Sequence, residues 1–162
     1  MKKTVIMGVG NMLMRDDGVG VHVVRALRQT KPPPGVEVID AGTSALDTIQ
    51  LLRNVDRLIV IDAVKGGGEP GTLYRLSLED ISETRLQHMS LHQLTLLEAL
   101  DMARLTGDCP EVVVIVGVEP KDISVGMQLS TVIEEKIPQV ISVVTELLSE
   151  PLASPRFSEE NG

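Results

Sequence analysis

The stretch that decides the fold of this chain reads GVGNMLMRDDGVG and runs from Gly8 to Gly20. The apolar run before it, residues 4–7, predicts a buried strand, and residues 19–29 carry apolar side chains at helical spacing. The stretch therefore joins a strand to a helix through a glycine-rich loop with two adjacent carboxylates, Asp16 and Asp17. Neighbouring carboxylates repel one another unless a cation or hydrogen-bond donors lie close by. We therefore treat this loop as the start of a functional site.

Apolar runs and helical patterns alternate along the rest of the chain. Strands are predicted over 36–39, 58–61 and 112–118, and helices over 46–52, 91–105 and 130–148. Residues 72–78 alternate in polarity, which predicts an antiparallel edge strand with one solvated face. The order of elements indicates an α/β fold. We expect a three-layer sandwich: a mostly parallel, twisted sheet of about five strands, helices on both faces and one antiparallel edge strand.

The length of the chain, 162 residues, favours one domain. A chain of this size buries roughly 70% of its unfolded surface, which is enough for a single core. We assign residues 1–150 to one α/β domain. Residues 151–162 are polar and interrupted by prolines, and they predict a flexible C-terminal tail.

The composition excludes several classes of protein. The net charge of −8 argues against nucleic acid and anionic membrane surfaces as partners, and only Tyr74 and Phe157 are aromatic. No apolar run is long enough to cross a membrane, and the N-terminus does not resemble a signal peptide. Cys109 is the single cysteine, so an internal disulfide and a cysteine-based metal cluster are both excluded. We expect a cytoplasmic enzyme or binding domain.

Three aspartates follow the first three predicted strands, namely Asp17, Asp40 and Asp62. In an open parallel sheet the ligand crevice lies beyond the carboxyl ends of the strands. Asp62 directly ends an apolar strand, so its carboxylate needs a donor, a helix to cap or a metal. Asp40 serves either a function or the turn that follows it.

The three histidines differ in their placement. His22 lies within the first predicted helix, whereas His88 and His92 are four residues apart on either side of Ser90. Because Ser90 is a good N-cap, His88 precedes the helix and His92 lies in its first turn. Asp17, Asp62 and His92 would form a site with open coordination positions, which suits nickel, zinc, iron or manganese.

Two other interpretations of the loop remain as alternatives. A dinucleotide-binding domain would need a third glycine where Leu13 stands, and the two acids would repel a pyrophosphate. A receiver-like phosphoacceptor module would use the acidic pair, Asp62 and Lys121 in that order. Its acidic pair, however, would end the first strand directly, and its lysine would precede a proline, whereas here Pro120 precedes Lys121.

An ordered set of short strings resembles the nickel-iron hydrogenase maturation endopeptidases. Beyond the opening stretch, the set comprises DAGT at 40–43, IDA at 61–63, PGT at 70–72, SLHQL at 90–94 and VGVEP at 116–120. Each string alone is weak, but together they follow the order of the family from about residue 4 to about residue 148, and the set is highly specific.

The resemblance implies roles for particular residues. It places the metal ligands, and with them the catalytic groups, at Asp17, Asp62 and His92. The first ligand is glutamate in some members of the family, so the aspartate here offers a shorter arm. The turn at 40–43 would contact the substrate through Asp40, Gly42 and Thr43. Apart from the resemblance, the position of Asp16 just before the predicted helix leads us to expect that it accepts backbone donors at the helix start and supports Asp17.

The resemblance also implies an activity. Such an enzyme removes a short C-terminal extension from the hydrogenase large-subunit precursor after nickel has entered it. The nickel of the substrate would be the recognition element, and another divalent metal such as zinc or cadmium could occupy the site in vitro. Metal-assisted hydrolysis and an aspartic-type mechanism both remain open. We expect the chain to act as a monomer.

Overall fold

A computed structural model of the chain describes residues 2–83 and 90–152. The strands are β1 (Thr4–Val9), β2 (Val36–Gly42), β3 (Arg57–Ala63), β4 (Leu73–Ser77) and β5 (Val112–Val118). The α-helices are α1 (Val19–Gln29), α2 (Leu78–Glu83), α3 (Leu91–Thr106) and α4 (Thr131–Ser149). Two 3-10 helices, Arg15–Gly18 and Ala45–Leu52, precede α1 and β3.

The strands form one sheet in the order β2-β1-β3-β5-β4. The pairs β1–β2, β1–β3 and β3–β5 are parallel, whereas β4 lies antiparallel to β5 at the edge. This topology confirms the predicted fold class, including the antiparallel edge strand. The strand order places the carboxyl ends of β1 and β3 side by side.

Two apolar cores lie on opposite faces of the sheet. On one face, α1 and α4 pack against alternate strand residues such as Ile6, Ile59 and Val116. On the other face, α3 and the 3-10 helix Ala45–Leu52 pack against the intervening residues, such as Met7 and Val60. A strand covered on both faces must be apolar at every position, which explains the continuous apolar runs of β1 and β3.

Several boundaries differ from those predicted. β1 extends to Val9 and β2 to Gly42, because parallel pairing continues past the apolar runs and aligns Gly8 with Asp40. Asp40 therefore lies inside β2 and not beyond it. The short helix α2, which follows β4 directly, was not predicted.

The ends of α3 agree with the prediction. The side chain of Ser90 accepts a hydrogen bond from the backbone of Gln93, and the Gln93 side chain binds back to the backbone of Ser90. This reciprocal capping box fixes the first turn of the helix. Gly107 ends α3 in a left-handed conformation, with φ of 78°.

Some expectations fall outside the described part of the chain. His88 and residues 153–162 of the proposed tail lie outside the described residues, and the division into a domain and a tail stays a prediction. Within the described ranges, no helix combines the length and the apolar character needed to cross a membrane.

Glycines let α1 approach the sheet at backbone distance. A Cβ atom on Gly20 would lie 2.0 Å from the carbonyl oxygen of Ile61 and 2.7 Å from that of Val9. On the facing strand, a Cβ on Gly8 would lie 2.4 Å from the carbonyl oxygen of Gly20. Only a residue without a side chain fits at either contact. The start of α1 is therefore held over the carboxyl ends of β1 and β3.

We expect Gly20→Ala to destabilise the fold, although alanine is the better helix former by about 1 kcal/mol. The overlap with the Ile61 carbonyl should outweigh this gain and lower the free energy of unfolding by about 2 kcal/mol. Denaturant unfolding measures the change, and amide NMR shifts of Ile61 and Asp62 should move with it.

The matched control is Gly107→Ala, where a Cβ meets no atom within 4 Å and only the positive φ is strained. That variant should leave the amide shifts of Ile61 and Asp62 unchanged. Wild-type stability in Gly20→Ala would contradict the proposed contact.

Candidate active site

Asp17 is held above the sheet by the turn between β1 and α1. Its carboxylate oxygen Oδ2 accepts a hydrogen bond of 3.0 Å from the backbone amide of Asn11. Gly10 makes this approach possible, since its φ is 142° and a Cβ there would lie 2.0 Å from the backbone oxygen of Asp17. The glycine-rich loop thus folds back onto the carboxylate that follows it.

Asp62 lies one residue before the end of β3 and is 2% exposed. Its Oδ1 atom accepts a 2.8 Å hydrogen bond from the amide of Ala63. The carbonyl oxygen of Ala63 in turn accepts a 2.8 Å bond from Nε2 of Gln93. The end of β3 and the start of α3 are therefore tied together beside this carboxylate.

His92 lies between the two aspartates. Its Nε2 atom is 3.1 Å from both carboxylate oxygens of Asp17, and its Nδ1 atom is 3.3 Å from Oδ2 of Asp62. The hydroxyl of Ser90 is 3.1 Å from Nδ1. Because the capping box fixes the first turn of α3, the imidazole is held in this position. The structure therefore brings together the three residues that the sequence singled out.

The charges of the three groups depend on one another. Burial alone lowers the pKa of His92, but hydrogen bonds and charge from Asp17 and Asp62 outweigh burial and raise that pKa to about 10. Burial raises the pKa of Asp62 to about 6, although the contact with His92 opposes the rise. Burial also acts to raise the pKa of Asp17, but His92, the Asn11 amide and the charge of Lys65 lower it overall. We call Asp17, Asp62 and His92 together the His92 array. This array holds a proton on the imidazole at neutral pH.

One nitrogen and several oxygens are the donor types that a borderline divalent ion prefers. In the folded arrangement, however, each ring nitrogen of His92 faces a different carboxylate. Among residues 2–83 and 90–152, no three His, Cys, Asp or Glu side chains are grouped so as to hold a metal ion. The donor set therefore suits a metal, but an ion would have to replace the proton that His92 shares with a carboxylate.

Asp16 has a different place from its neighbour. It is fully buried, and its carboxylate accepts hydrogen bonds from the amides of Lys121, Asp122 and Ser130 and from the Ser130 hydroxyl, at 2.7–3.0 Å. It thus fixes the loop between β5 and α4. The donors lie at the start of α4 and in the loop before it, whereas the sequence suggested donors at the start of α1.

The turn at 40–43 lies beside the glycine-rich loop. The carboxylate of Asp40 accepts hydrogen bonds from the Gly42 amide, at 3.1 Å, and from Nε of Arg25, at 3.3 Å. The carbonyl oxygen of Gly42 accepts a 2.8 Å bond from the amide of Gly10, next to Asn11. Asp40 is therefore ion-paired with α1 and does not join the His92 array, and Thr43 is exposed beside it.

Sequence reasoning missed the contribution of Glu119. This buried carboxylate follows β5 and accepts bonds from the Gly66 amide, at 2.7 Å, and from the Tyr74 hydroxyl, at 3.0 Å. It holds a different loop, residues 65–71, beside the end of β3. The sequence did carry a signal for this residue. Glu119 directly follows an apolar run, in the same way that Asp62 directly follows another.

The remaining histidine of the described residues, His22, lies in α1. Burial lowers its pKa, and its buried Nε2 atom has no hydrogen-bond partner within the described ranges. It contributes no contact to the array around His92.

Comparisons with known proteins define the family. The family model of the hydrogenase maturation proteases matches residues 21–147. The hydrogenase 2 maturation protease of Escherichia coli is 33% identical over 150 residues, which cover 91% of this chain and 92% of that protein. The hydrogenase expression/formation protein HupD of Bradyrhizobium diazoefficiens is 34% identical over 151 residues, covering 91% and 79%.

Solved structures agree with these relatives. The hydrogenase maturating endopeptidase HybD from Escherichia coli superposes with a TM-score of 0.83 at 32% identity, over 90% of this chain and 91% of that one. The relatives and the shared fold define a protease with an α/β architecture. This chain belongs to the hydrogenase maturation protease family, and this membership replaces the dinucleotide-binding and receiver-like interpretations.

The two adjacent aspartates should respond differently to substitution. Asp16→Ala removes a fully buried carboxylate and leaves three part-buried amides and a hydroxyl without their acceptor, so it should lower the free energy of unfolding by about 3 kcal/mol. Asp17→Ala removes a partly exposed carboxylate with fewer donors and should cost less. Chemical denaturation of both variants tests the difference, and equal losses would contradict it.

The ring of His92 should stay protonated at pH 8 in protein kept free of metal with a chelator, because its pKa is raised to about 10. His22, whose pKa is lowered, should be neutral at that pH. Nitrogen-15 NMR of the imidazoles distinguishes the two forms, and His22→Gln and His92→Gln assign the signals. Asp17→Asn should lower the pKa of His92, whereas a neutral ring at pH 8 in the wild type would show that the array does not hold the proton.

Proposed function

We propose that this chain removes the C-terminal extension of a nickel-iron hydrogenase large-subunit precursor after nickel insertion. The observation that supports this proposal is the array of Asp17, His92 and Asp62 at the carboxyl edge of the sheet. These side chains supply both the donors that nickel accepts and the acid–base groups that peptide hydrolysis requires. Family membership supports the class of reaction.

Nickel is part of the substrate in this proposal and serves as the recognition element. Asp17, Asp62 and His92 complete the coordination of the nickel that the precursor already holds. For His92 to bind, the proton that it shares with a carboxylate must leave. A precursor without nickel offers nothing to displace that proton, and it therefore lacks the anchor. Binding at the metal also holds the scissile peptide close to the carboxylates.

The hydrolytic step uses water as the nucleophile. Asp62 is the carboxyl whose pKa, at about 6, lies nearest to neutral, so it is suited to accept a proton from the attacking water. The substrate nickel, as a Lewis acid, can polarise the scissile carbonyl in the same site. We assign metal binding to Asp17, Asp62 and His92 together. The carboxylate of Asp62 also acts as the general base, and it returns the proton to the leaving amine as the peptide bond breaks.

The turn at 40–43 is the proposed contact for the peptide substrate. The carbonyl of Gly42 is bound to Gly10, whose neighbour Asn11 binds Asp17. The turn therefore lies next to the loop that carries Asp17, where Asp40, Gly42 and Thr43 can contact a peptide bound at that carboxylate. The exposed position of Thr43 leaves its hydroxyl accessible to such a peptide.

We further propose that the chain works as a cytoplasmic monomer. The site is built entirely from one chain, so a second copy is not required. Zinc or cadmium should be able to occupy the same donors in vitro, because both accept nitrogen and oxygen ligands.

Incubation with nickel-loaded and nickel-free precursor tests the proposal, with mass spectrometry as the measurement. We expect the mass of the precursor to fall by that of the extension only when nickel is present. Equal cleavage of both forms would overturn the recognition role of nickel. No cleavage of either form would overturn the proposed activity.

The same assay tests the residues. Asp17→Asn, Asp62→Asn and His92→Ala should each reduce processing by at least about 100-fold, a loss typical of an acid–base group or metal ligand. Asp47→Asn is the matched control, since Asp47 is an exposed carboxylate outside the array. His88→Ala should be close to neutral. Processing retained in His92→Ala would remove His92 from the site.

A further inference from the structure

Three large apolar side chains are exposed next to the candidate active site. They are Leu13 at 59%, Val125 at 80% and Met127 at 66% exposure, and we call them the Leu13 patch. Leu13 belongs to the glycine-rich loop before α1, whereas the other two belong to the loop between β5 and α4. Single exposed apolar residues are ordinary, but a group of them on one surface marks an interaction site.

The two loops are joined by backbone hydrogen bonds. The amide of Gly126 donates to the carbonyl of Leu13, and the amide of Arg15 donates to the carbonyl of Gly126, both at 2.9 Å. Val125 and Met127 flank Gly126, so this pairing brings their backbone positions next to the segment that carries Leu13. The patch is therefore one surface formed by two distant parts of the chain.

The fold holds this surface at an energetic cost. Arg15 adopts a positive φ of 46°, which is unfavourable for a residue with a side chain. The buried carboxylate of Asp16 binds the β5–α4 loop through Lys121, Asp122 and Ser130. The fold retains the backbone strain at Arg15 where this loop presents apolar groups to water, which indicates a functional surface.

The patch is continuous with the site. The amide of Leu13 donates to the side-chain oxygen of Asn11, at 2.9 Å, and the amide of Asn11 donates to the carboxylate of Asp17, at 3.0 Å. Two hydrogen bonds through Asn11 thus link the backbone of Leu13 to the carboxylate of Asp17.

We propose that the Leu13 patch docks an apolar surface of the precursor next to its cleavage site. This inference rests on the proposed function and adds a second contact that is independent of nickel. A protein substrate is the partner that fits, because the patch borders the groups that must meet the scissile peptide. A second copy of this chain on the same surface would cover Asp17 and block the site.

The experiment measures precursor processing as a function of precursor concentration for Leu13→Gln, Val125→Gln and the double variant. Each single change should raise KM about five- to tenfold and the double change more, with kcat within about twofold of the wild type, because lost apolar burial weakens binding. Leu105→Gln is the matched control, since Leu105 is 89% exposed on α3. Its KM should be unchanged.

Two outcomes would overturn the inference. One is a fall in kcat at constant KM, and the other is a rise of KM in Leu105→Gln as large as that in the patch variants. Sedimentation that shows a wild-type dimer, dissociated by Leu13→Gln with KM unchanged, would assign the patch to self-association. If the wild type cleaves no precursor, the proposed function fails, and binding of nickel-loaded precursor then decides the inference: weaker binding by Leu13→Gln supports it and equal binding overturns it.

Discussion

The backbone contact between Gly20 of α1 and the Ile61 carbonyl of β3 is the constraint on which the site depends. A Cβ atom at Gly20 would lie 2.0 Å from that oxygen, so the helix can come this close only where no side chain intervenes. The contact lies three residues after Asp17 and one residue before Asp62. It therefore sets the separation of two carboxylates that belong to different elements, and the first turn of α3 then inserts His92 between them.

The electrostatics of the array follow from that geometry. Two carboxylates brought together in a partly buried place would repel one another, and the imidazolium between them removes the conflict by pairing with both. The pKa of His92 is raised while that of Asp62 rises to about 6. The proton that stabilises this arrangement is also the group that a metal must replace. In the proposed function, therefore, the array holds either this proton or the nickel of the substrate, and never both.

The acidic pair of the glycine-rich loop divides into a structural and a functional member. Asp16 turns inward and fixes the β5–α4 loop, whereas Asp17 turns toward His92. The same loop pairing presents the Leu13 patch beside Asp17, so the residues that stabilise this edge of the fold also shape its outer surface. Glu119 acts similarly on the other side, where it holds the loop 65–71 through Gly66 and Tyr74.

The sequence by itself determined the α/β architecture, the bounds of α1 and β5, the capping of α3 and the grouping of Asp17, Asp62 and His92, because these follow from local periodicity and from acids placed at strand ends. It missed α2, the pairing of Asp40 with Arg25 and the partners of Asp16, which lie 105–114 residues away. Only the tertiary structure decided which ring nitrogen faces which carboxylate and which apolar loops meet. Hydrogen bonds and charge states depend on distances and burial between remote segments, and spacing along the chain does not encode them.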